Sequence, residues 1–424
     1  MTARLTLIAL LAALALAAPA AAYDPQTEAA NFARINQRFS SEQADADFQG
    51  QVAQHEAIDM ADILQRDATA GGDRFSGSLC GSGTLACAGD PRMYDFAGKR
   101  GQITPVIYKN RNGAHIEGHI WLSNASVHGA GPASLPGVVI ETGSVQAPER
   151  WYMWIAEVLA NHGYEVMTFD VQGQGRSDAF GSHDQQHFAK GFPAQDTTHF
   201  VEDLEDAIGF FEGDANPGAA LLDRSRLGIA GHSLGATSVS IVQAQDPRVD
   251  VAVAWDNVDA SVTPRVPMLG MSADYWLDPT PYTSDPDPDS KATGFAKWKQ
   301  AGVDAMQVVL RGGTHYEWSY APMMLPASLR GIDSAAWYTT AWLDKYLEAD
   351  PTADARLLSN RWRADPRDAA LDPAGKGNLF SFYYRSPVAI TLADGTPFAC
   401  SDLRSSCPLR TDDGEPYSYL DDRG

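Results

Sequence analysis

Near the middle of the 424-residue chain stands the stretch Leu227-Gly228-Ile229-Ala230-Gly231-His232-Ser233-Leu234-Gly235-Ala236-Thr237-Ser238-Val239. Its first four residues form a short apolar run of the kind that a buried strand shows, and the residues after Ser233 favour a helix. Two glycines flank the serine in the pattern G-x-S-x-G. Because a tight turn leaves room only for very small neighbours, the pattern predicts a sharp bend from strand to helix with Ser233 at its tip.

The same alternation of strand and helix extends to both sides of this bend. Apolar runs predict strands at residues 103–108, 115–122, 137–140, 165–169, 227–230, 249–255, 266–271 and 305–310. Helical spacing of apolar residues occurs at 151–161, 198–211, 234–245, 291–301 and 334–347. Such alternation is typical of an α/β domain in which helices cover both faces of a mostly parallel central sheet. We expect that domain at residues 102–348, after a signal peptide (1–22) and an N-terminal extension (23–101) and before a C-terminal extension (349–424).

The position of Ser233 is that of a catalytic nucleophile. Ligands of parallel sheets bind at the carboxyl ends of the strands, and the bend places the serine there, at a helix N-terminus that favours negative charge. A serine hydroxyl needs a base. His315 fits this role because the flexible loop 311–314 delivers it after the strand at 305–310, and because the base follows the serine in the chain order of this architecture.

The base in turn needs a carboxylate that orients it. Asp274 and Asp278 follow the strand at 266–271, and Asp256 follows the strand at 249–255. Position between serine and histidine favours Asp274 as the acid, with Asp256 and Asp278 as alternatives.

Acyl transfer also requires two hydrogen-bond donors for the negatively charged oxygen of the intermediate. The backbone N–H of Leu234, directly after the nucleophile, is the first expected donor. The second is expected from the loop Thr142-Gly143-Ser144 after the strand at 137–140, with the N–H of Ser144 as the predicted donor.

Several of these segments resemble secreted α/β-hydrolases, and they are most similar to dienelactone hydrolase-like enzymes and bacterial cutinase-type polyester hydrolases. The similar segments are residues 138–170 with Gly143, Trp154 and Asn161-His162-Gly163-Tyr164, then Trp255-Asp256, Val266-Pro267-Met268-Leu269 and Asp274, and finally Gly312-Gly313-Thr314-His315. The resemblance implies an α/β-hydrolase fold, Asp274 rather than Asp256 as the acid, and Trp255 beside the acyl part of the substrate. The chain departs from the polyester hydrolases at His232 and Leu234, where they usually carry Trp and Met, and at Ser144, where they usually carry an aromatic residue.

The short connection between two predicted strands bears on the substrate. Only about ten residues, 256–265, separate the strand that ends at Trp255 from the next strand. Many α/β-hydrolases insert a helical cap there, and this chain has no room for a large one. We therefore expect an open site that accepts bulky or polymeric esters, and a carboxylic-ester hydrolase that uses no cofactor and no metal.

Two other classes of function stay open at this point. A serine peptidase or an acyltransferase would use the same triad, because the pattern does not specify the leaving group. A non-catalytic binding protein on the same scaffold is disfavoured, because Ser233, Asp274 and His315 are all present.

The first residues of the chain predict export. Arg4 precedes an apolar run at residues 5–18 that ends in Pro19-Ala20-Ala21-Ala22. This is the pattern of a cleaved signal peptide, and the run is too short to span a bilayer. We expect cleavage after Ala22 and a secreted or periplasmic protein without a membrane anchor.

The composition of the chain restricts the partners that it can bind and predicts the pairing of its cysteines. The chain carries 54 acidic and 32 basic residues, a net charge of −22, which repels phosphate backbones, so we expect no nucleic-acid partner. The four cysteines form two C-x6-C spacings. In an exported chain the simplest pairing is Cys80–Cys87 and Cys400–Cys407, with cross-pairing as the alternative.

Overall fold

The structure, a computed structural model, describes residues 23–44, 96–144, 147–178, 197–256, 258–277, 280–319, 329–359 and 380–407, and the single positions 46, 50, 53 and 57. Strands of the described residues join into one ten-stranded sheet. They are β1 (Gly101–Lys109), β2 (His115–Ser123), β3 (Leu135–Glu141), β4 (Glu165–Phe169), β5 (Leu222–His232), β6 (Val251–Trp255), β7 (Met268–Ala273), β8 (Ala305–Leu310), β9 (Val388–Thr391) and β10 (Pro397–Cys400).

The centre of this sheet is parallel and its edges are antiparallel. Across the sheet the strand order is β1-β2-β4-β3-β5-β6-β7-β8-β9-β10. The neighbours from β4 to β8 in this order run parallel. The pairs β1–β2, β2–β4, β8–β9 and β9–β10 are antiparallel. The predicted α/β class with a mostly parallel sheet is confirmed.

Helices cover both faces of the sheet. The helices that the structure delimits are α1 (Pro25–Gln43), α2 (Asn124–Gly129), α3 (Met153–Asn161), α4 (Thr197–Phe211), α5 (Leu234–Gln245), α6 (Thr293–Ala301), α7 (Leu329–Leu347) and α8 (Ala353–Leu357). One apolar cluster contains side chains of α3 and α7, and a second contains side chains of α4, α5 and α6. Successive residues of β3 alternate between the clusters, since Val138 and Ile140 belong to the first and Val139 to the second. This alternation is that of a pleated strand buried on both faces.

The connection from β6 to β7 is short. β6 ends at Trp255 and β7 begins at Met268, and the described part of the connection, residues 258–267, contains no helix. The fold therefore carries no large cap domain at this position, as predicted.

The N-terminal helix α1 packs against the rest of the molecule through one face. Among the residues of this helix whose burial the structure describes, the buried ones are Glu28, Asn31 and Ile35. Their spacings of three and four residues place them on the same side of a helix. The ring of Tyr275 shares a buried cluster with Ile35. Helix α1 therefore contacts the segment that follows β7.

The C-terminal residues also contact the domain. β9 and β10 extend the central sheet beyond β8, and a disulfide joins Cys400 to Cys407, with their Cα atoms 5.3 Å apart. The predicted local pairing of these two cysteines is confirmed. Cys80 and Cys87 lie outside the described residues.

Candidate active site

Ser233 lies at the tip of the sharp bend between β5 and α5. Its backbone angles are φ 56° and ψ −118°, a region that costs a non-glycine residue on the order of 1–3 kcal/mol. A Cβ atom on Gly231 would lie 2.5 Å from the carbonyl oxygen of Gly235, and one on Gly235 would lie 2.4 Å from the carbonyl oxygen of Thr142. Only glycine fits at both positions, so the two glycines of the pattern are what permit this bend.

His315 reaches Ser233 from the loop after β8. Its Nε2 lies 2.9 Å from the Oγ of Ser233, and its Nδ1 lies 2.6 Å from the Oδ2 of Asp256. Because a carboxylate can only accept, Nδ1 carries the imidazole proton and Nε2 has a lone pair for the serine hydroxyl. Serine, histidine and carboxylate thus form one continuous hydrogen-bonded relay.

The structure corrects the choice of acid, because Asp256 and not Asp274 contacts the imidazole. Asp274 Oδ2 instead accepts a hydrogen bond from the backbone N–H of Gly312 at 2.8 Å. The physical reason is strand order: β6, which ends just before Asp256, is the direct neighbour of β5, whereas β7 lies one strand further from the serine. Asp278, the third candidate, lies outside the described residues.

Asp274 supports the loop that carries the histidine. It holds Gly312 through its side chain, and its own N–H donates to the carbonyl oxygen of Leu310 at 3.0 Å. Burial raises the pKa of Asp274 to about 6. A buried carboxyl that binds a backbone N–H at the base of this loop has a structural role.

Backbone strain concentrates at the relay. Among the described residues, four non-glycine residues have positive φ, and two of them are Ser233 and Asp256, at 56° and 53°. Aspartate tolerates this conformation better than most residues. The backbone N–H of Asp256 donates to the carbonyl oxygen of Met271 at 2.7 Å, which ties the bend to β7. Such strained residues cluster at functional sites.

Trp255 does not line the site, contrary to the expectation. Its side chain is fully buried, and its Nε1 donates to Thr339 Oγ1 on α7 at 3.1 Å. Val251, Val253 and Trp255 belong to the same apolar cluster, because alternate residues of a strand point to the same face. The tryptophan is therefore a core residue between β6 and α7.

The predicted oxyanion loop lies beside Ser233. A Cβ atom on Gly143 would be 3.2 Å from the Cβ of Ser233, so the loop passes the serine closely. The N–H of Gly143 donates to the hydroxyl of Tyr152 at 3.0 Å, and the next residue, Ser144, is half-buried. Leu234 is the first residue of α5, where a backbone N–H has no partner within its own helix. Ser144 and Leu234 stay the predicted donors.

A second hydrogen-bonded chain, which the sequence did not suggest, connects this loop to the base. Tyr152 Oη lies 2.8 Å from His232 Nδ1, and His232 Nε2 lies 2.7 Å from the carbonyl oxygen of His315. Because a carbonyl only accepts, Nε2 of His232 donates, and Nδ1 accepts from the tyrosine hydroxyl. Burial, together with the nearby His315, holds the pKa of His232 well below its ordinary value. The chain runs from Gly143 through Tyr152 and neutral His232 to His315.

Residues 145–255 match the protein family described as serine aminopeptidase, S33. The matched residues contain β4, β5, β6 and Ser233, and they end one residue before Asp256. A comparison with curated proteins gave no match. In the described part of the chain, no helix combines the length and the apolar character that crossing a membrane requires. The family match and the sheet topology together show that this chain has the α/β-hydrolase fold.

Proposed function

We propose that the protein is a serine hydrolase that cleaves carboxylic esters through an acyl-enzyme on Ser233. The observation that carries the proposal is the relay in which Ser233 Oγ lies 2.9 Å from His315 Nε2 and His315 Nδ1 lies 2.6 Å from Asp256. Nucleophile and acid directly follow neighbouring parallel strands, so the sheet holds them at a fixed separation. A nucleophile, a base and an orienting carboxylate within hydrogen-bond distance are the signature of covalent acyl transfer.

In the first half of the reaction, Ser233 Oγ attacks the carbonyl carbon while its proton passes to His315 Nε2. Asp256 stabilises the imidazolium that forms. The tetrahedral intermediate then collapses, the bond from carbon to the alcohol oxygen breaks, and the alcohol leaves with the proton from His315. In the second half, water attacks the acyl carbon, His315 takes its proton, and Ser233 recovers that proton as the acid departs.

The oxyanion of each intermediate would accept hydrogen bonds from the backbone N–H groups of Leu234 and Ser144. The position of Leu234 at the N-terminus of α5 adds the favourable field of the helix. Losing one such donor lowers the rate by roughly 10²–10³ in serine hydrolases. Tyr152 keeps the neighbouring Gly143 in place, which supports the second donor.

The decisive experiment compares Ser233→Ala with Ser261→Ala on p-nitrophenyl esters of increasing acyl length. Ser261 is exposed and serves as the matched control. We expect Ser233→Ala to lose activity by about 10⁴-fold or more with an unchanged unfolding temperature, and Ser261→Ala to retain it. A fluorophosphonate should label the native protein and not Ser233→Ala. Equal activity of the two variants would overturn the assignment.

Peptide hydrolysis is the second candidate, and the match to a family described as serine aminopeptidase favours it. The same relay cleaves amides when the site also protonates and releases an amine. Matched ester and amide substrates with one acyl group would separate the two functions. A kcat/KM for the amide within about tenfold of that for the ester would favour the peptidase.

We also propose that the protein is exported and cleaved after Ala22. In the structure the backbone nitrogen of Tyr23 contacts the side chain of Asp285, so the α-ammonium group that cleavage releases would meet a carboxylate. The Cys400–Cys407 disulfide fits an oxidising compartment. N-terminal sequencing of the protein recovered outside the cytoplasm should begin at Tyr23, and an intact Met1 there would contradict the proposal.

A further inference from the structure

Two adjacent exposed apolar side chains, Trp276 and Leu277, lie in the segment whose backbone binds His315. Among the described residues, the large apolar side chains that are exposed are Ile107 at 52%, Trp276 at 49% and Leu277 at 40%. Other large aromatic side chains, including six tryptophans, are fully buried. An isolated exposed apolar residue is ordinary, but two adjacent ones in a segment that contacts the imidazole of His315 point to a binding surface.

Trp276 is held against His315 by two contacts. The indole and imidazole ring centroids are 4.0 Å apart, with 40° between the planes. The backbone N–H of His315 donates to the carbonyl oxygen of Trp276 at 2.8 Å. The indole therefore borders the imidazole directly, while about half of its surface stays open to solvent.

The reaction places one part of the substrate on this side of the site. His315 Nε2 must come within hydrogen-bond distance of the leaving oxygen to return its proton. The group attached to that oxygen then lies against whatever borders the imidazole. The acyl carbonyl instead points toward the donors at Leu234 and Ser144. Trp276 is thus placed to contact the alcohol part of an ester.

The N-terminal helix α1 anchors the segment that contains Trp276. Glu28 on α1 is 2% exposed and accepts hydrogen bonds from the hydroxyl of Tyr275 at 3.0 Å and the N–H of Tyr282 at 2.9 Å. The hydroxyl of Tyr383 also donates to Glu28. Because its neighbour is anchored in this way, Trp276 loses little conformational freedom when a ligand covers it.

We propose that Trp276 forms the wall of a subsite for the alcohol part of the ester and selects aromatic or bulky apolar alcohols. The inference rests on the proposed ester hydrolysis and names its substrate class. An indole face gains from stacking against a flat apolar group and gains little from a methyl group. A stacked aromatic pair corresponds to a preference of about tenfold.

The test uses butyrate esters of methanol, butanol, cyclohexylmethanol and benzyl alcohol. These four alcohols have similar acidity, so the esters differ mainly in the size and shape of the leaving group. The rate of each hydrolysis is measured by titration of the released acid. Trp276→Ala should lower the ratio of kcat/KM for benzyl over methyl butyrate by about tenfold, and Trp276→Phe should restore most of it. Ile107→Ala, which alters the exposed residue on β1, should leave the ratio unchanged. The dependence on acyl length, measured with methyl acetate through methyl octanoate, should be the same in all variants.

A positioning role would look different. If Trp276 only oriented the imidazole, Trp276→Ala would lower kcat/KM for every ester by one factor and would shift its pH profile, and that result would overturn the subsite. A change in acyl preference instead of alcohol preference would also overturn it. A native protein that cleaves none of the esters contradicts the proposed hydrolysis itself, whereas an active protein with an unaltered benzyl preference in Trp276→Ala contradicts the subsite alone.

Discussion

Asp256 and Asp274 occupy equivalent positions in two neighbouring strand–loop units, yet they bind different partners. Each is the first residue after a buried parallel strand, β6 or β7, and they are only 4% and 5% exposed. Asp256 meets the imidazole, whereas Asp274 meets a backbone N–H. The chain bends through positive φ at Asp256 and not at Asp274. A strand end thus brings a carboxylate to the edge of the sheet, and strand order and the local bend determine what it contacts.

Replacing Asp256 by asparagine should lower activity far more than the same change at Asp274. Asp256→Asn should lower kcat by about 10⁴-fold, because an amide can donate to Nδ1 and thereby favour the tautomer in which Nε2 cannot accept the serine proton. Asp274→Asn should lower kcat by less than about tenfold. Initial rates on one p-nitrophenyl ester, with circular dichroism to verify folding, measure the difference. Equal losses in the two variants would show that the observed contact does not identify the acid.

Replacing Tyr152, with both aspartates kept, should lower kcat by a smaller factor. Tyr152→Phe removes the acceptor for the N–H of Gly143 and the donor to His232, so both the oxyanion loop and the backbone of His315 lose support. We expect kcat to fall by roughly 10- to 100-fold with little change in KM, because the loss acts on the transition state.

The matched control for this variant is Tyr164→Phe. Tyr164 is also buried and donates to Asp344 on α7 at 2.6 Å; it directly precedes β4, whereas Ser233 follows the carboxyl end of β5. The Tyr164→Phe variant should lose about as much stability as Tyr152→Phe and should keep the kcat of the native protein. A similar fall of kcat in both variants would remove the argument that the chain through His232 positions the base.

Replacing Asp274 should lower the free energy of unfolding. Asp274→Ala leaves the N–H of Gly312 without its acceptor in a buried place, which costs about 1–3 kcal/mol. Asp274→Asn retains an oxygen for this bond and should cost less. Urea unfolding of both variants and of Asp256→Asn measures the differences in free energy of unfolding. An Asp274→Ala protein as stable as the native one would contradict a structural role.

The dependence of stability on pH gives the finest distinction. Burial raises the pKa of Asp274 to about 6 from an ordinary value of 3.8, so the folded protein retains this proton over a range where the unfolded chain has lost it. The stabilisation that this bound proton gives to the folded protein is therefore fully present below about pH 4 and is lost as pH rises through 6. The stability of the native protein relative to Asp274→Asn should fall by roughly 2–3 kcal/mol between pH 4 and pH 7. A difference that stays constant across this range would show that Asp274 does not titrate as a buried acid.

Local features of the sequence predicted the parts of the site that depend on local chemistry. The bend at Ser233 follows from two glycines that no larger residue can replace, and His315 follows from the loop after the last strand of the parallel region. Chain order favours Asp274 over Asp256 because it does not report which strands are neighbours in the sheet. The sequence does not show that Trp255 belongs to the core, because β6 is apolar on both faces and its pattern does not reveal which face each residue takes.

The chain from Tyr152 through His232 to His315 was out of reach for a different reason. Its members are 80 and 83 residues apart in the chain, and a buried tyrosine and a histidine next to a nucleophile carry no spacing rule. The contact between Glu28 and Tyr275 joins residues 247 positions apart. Such contacts depend on how elements dock, which no local pattern encodes.

Short-range patterns in the sequence predict the α/β class, the sharp bend at Ser233, and Ser233 and His315 as the proposed nucleophile and base, because strand runs, helical spacing and glycine contacts act over a few neighbouring residues. The folded molecule is needed to show which aspartate contacts His315, that Trp255 belongs to the core, and that the N-terminal helix holds the segment of Trp276. These outcomes depend on the order of strands in the sheet and on the packing of distant elements, which is set by burial of the whole chain.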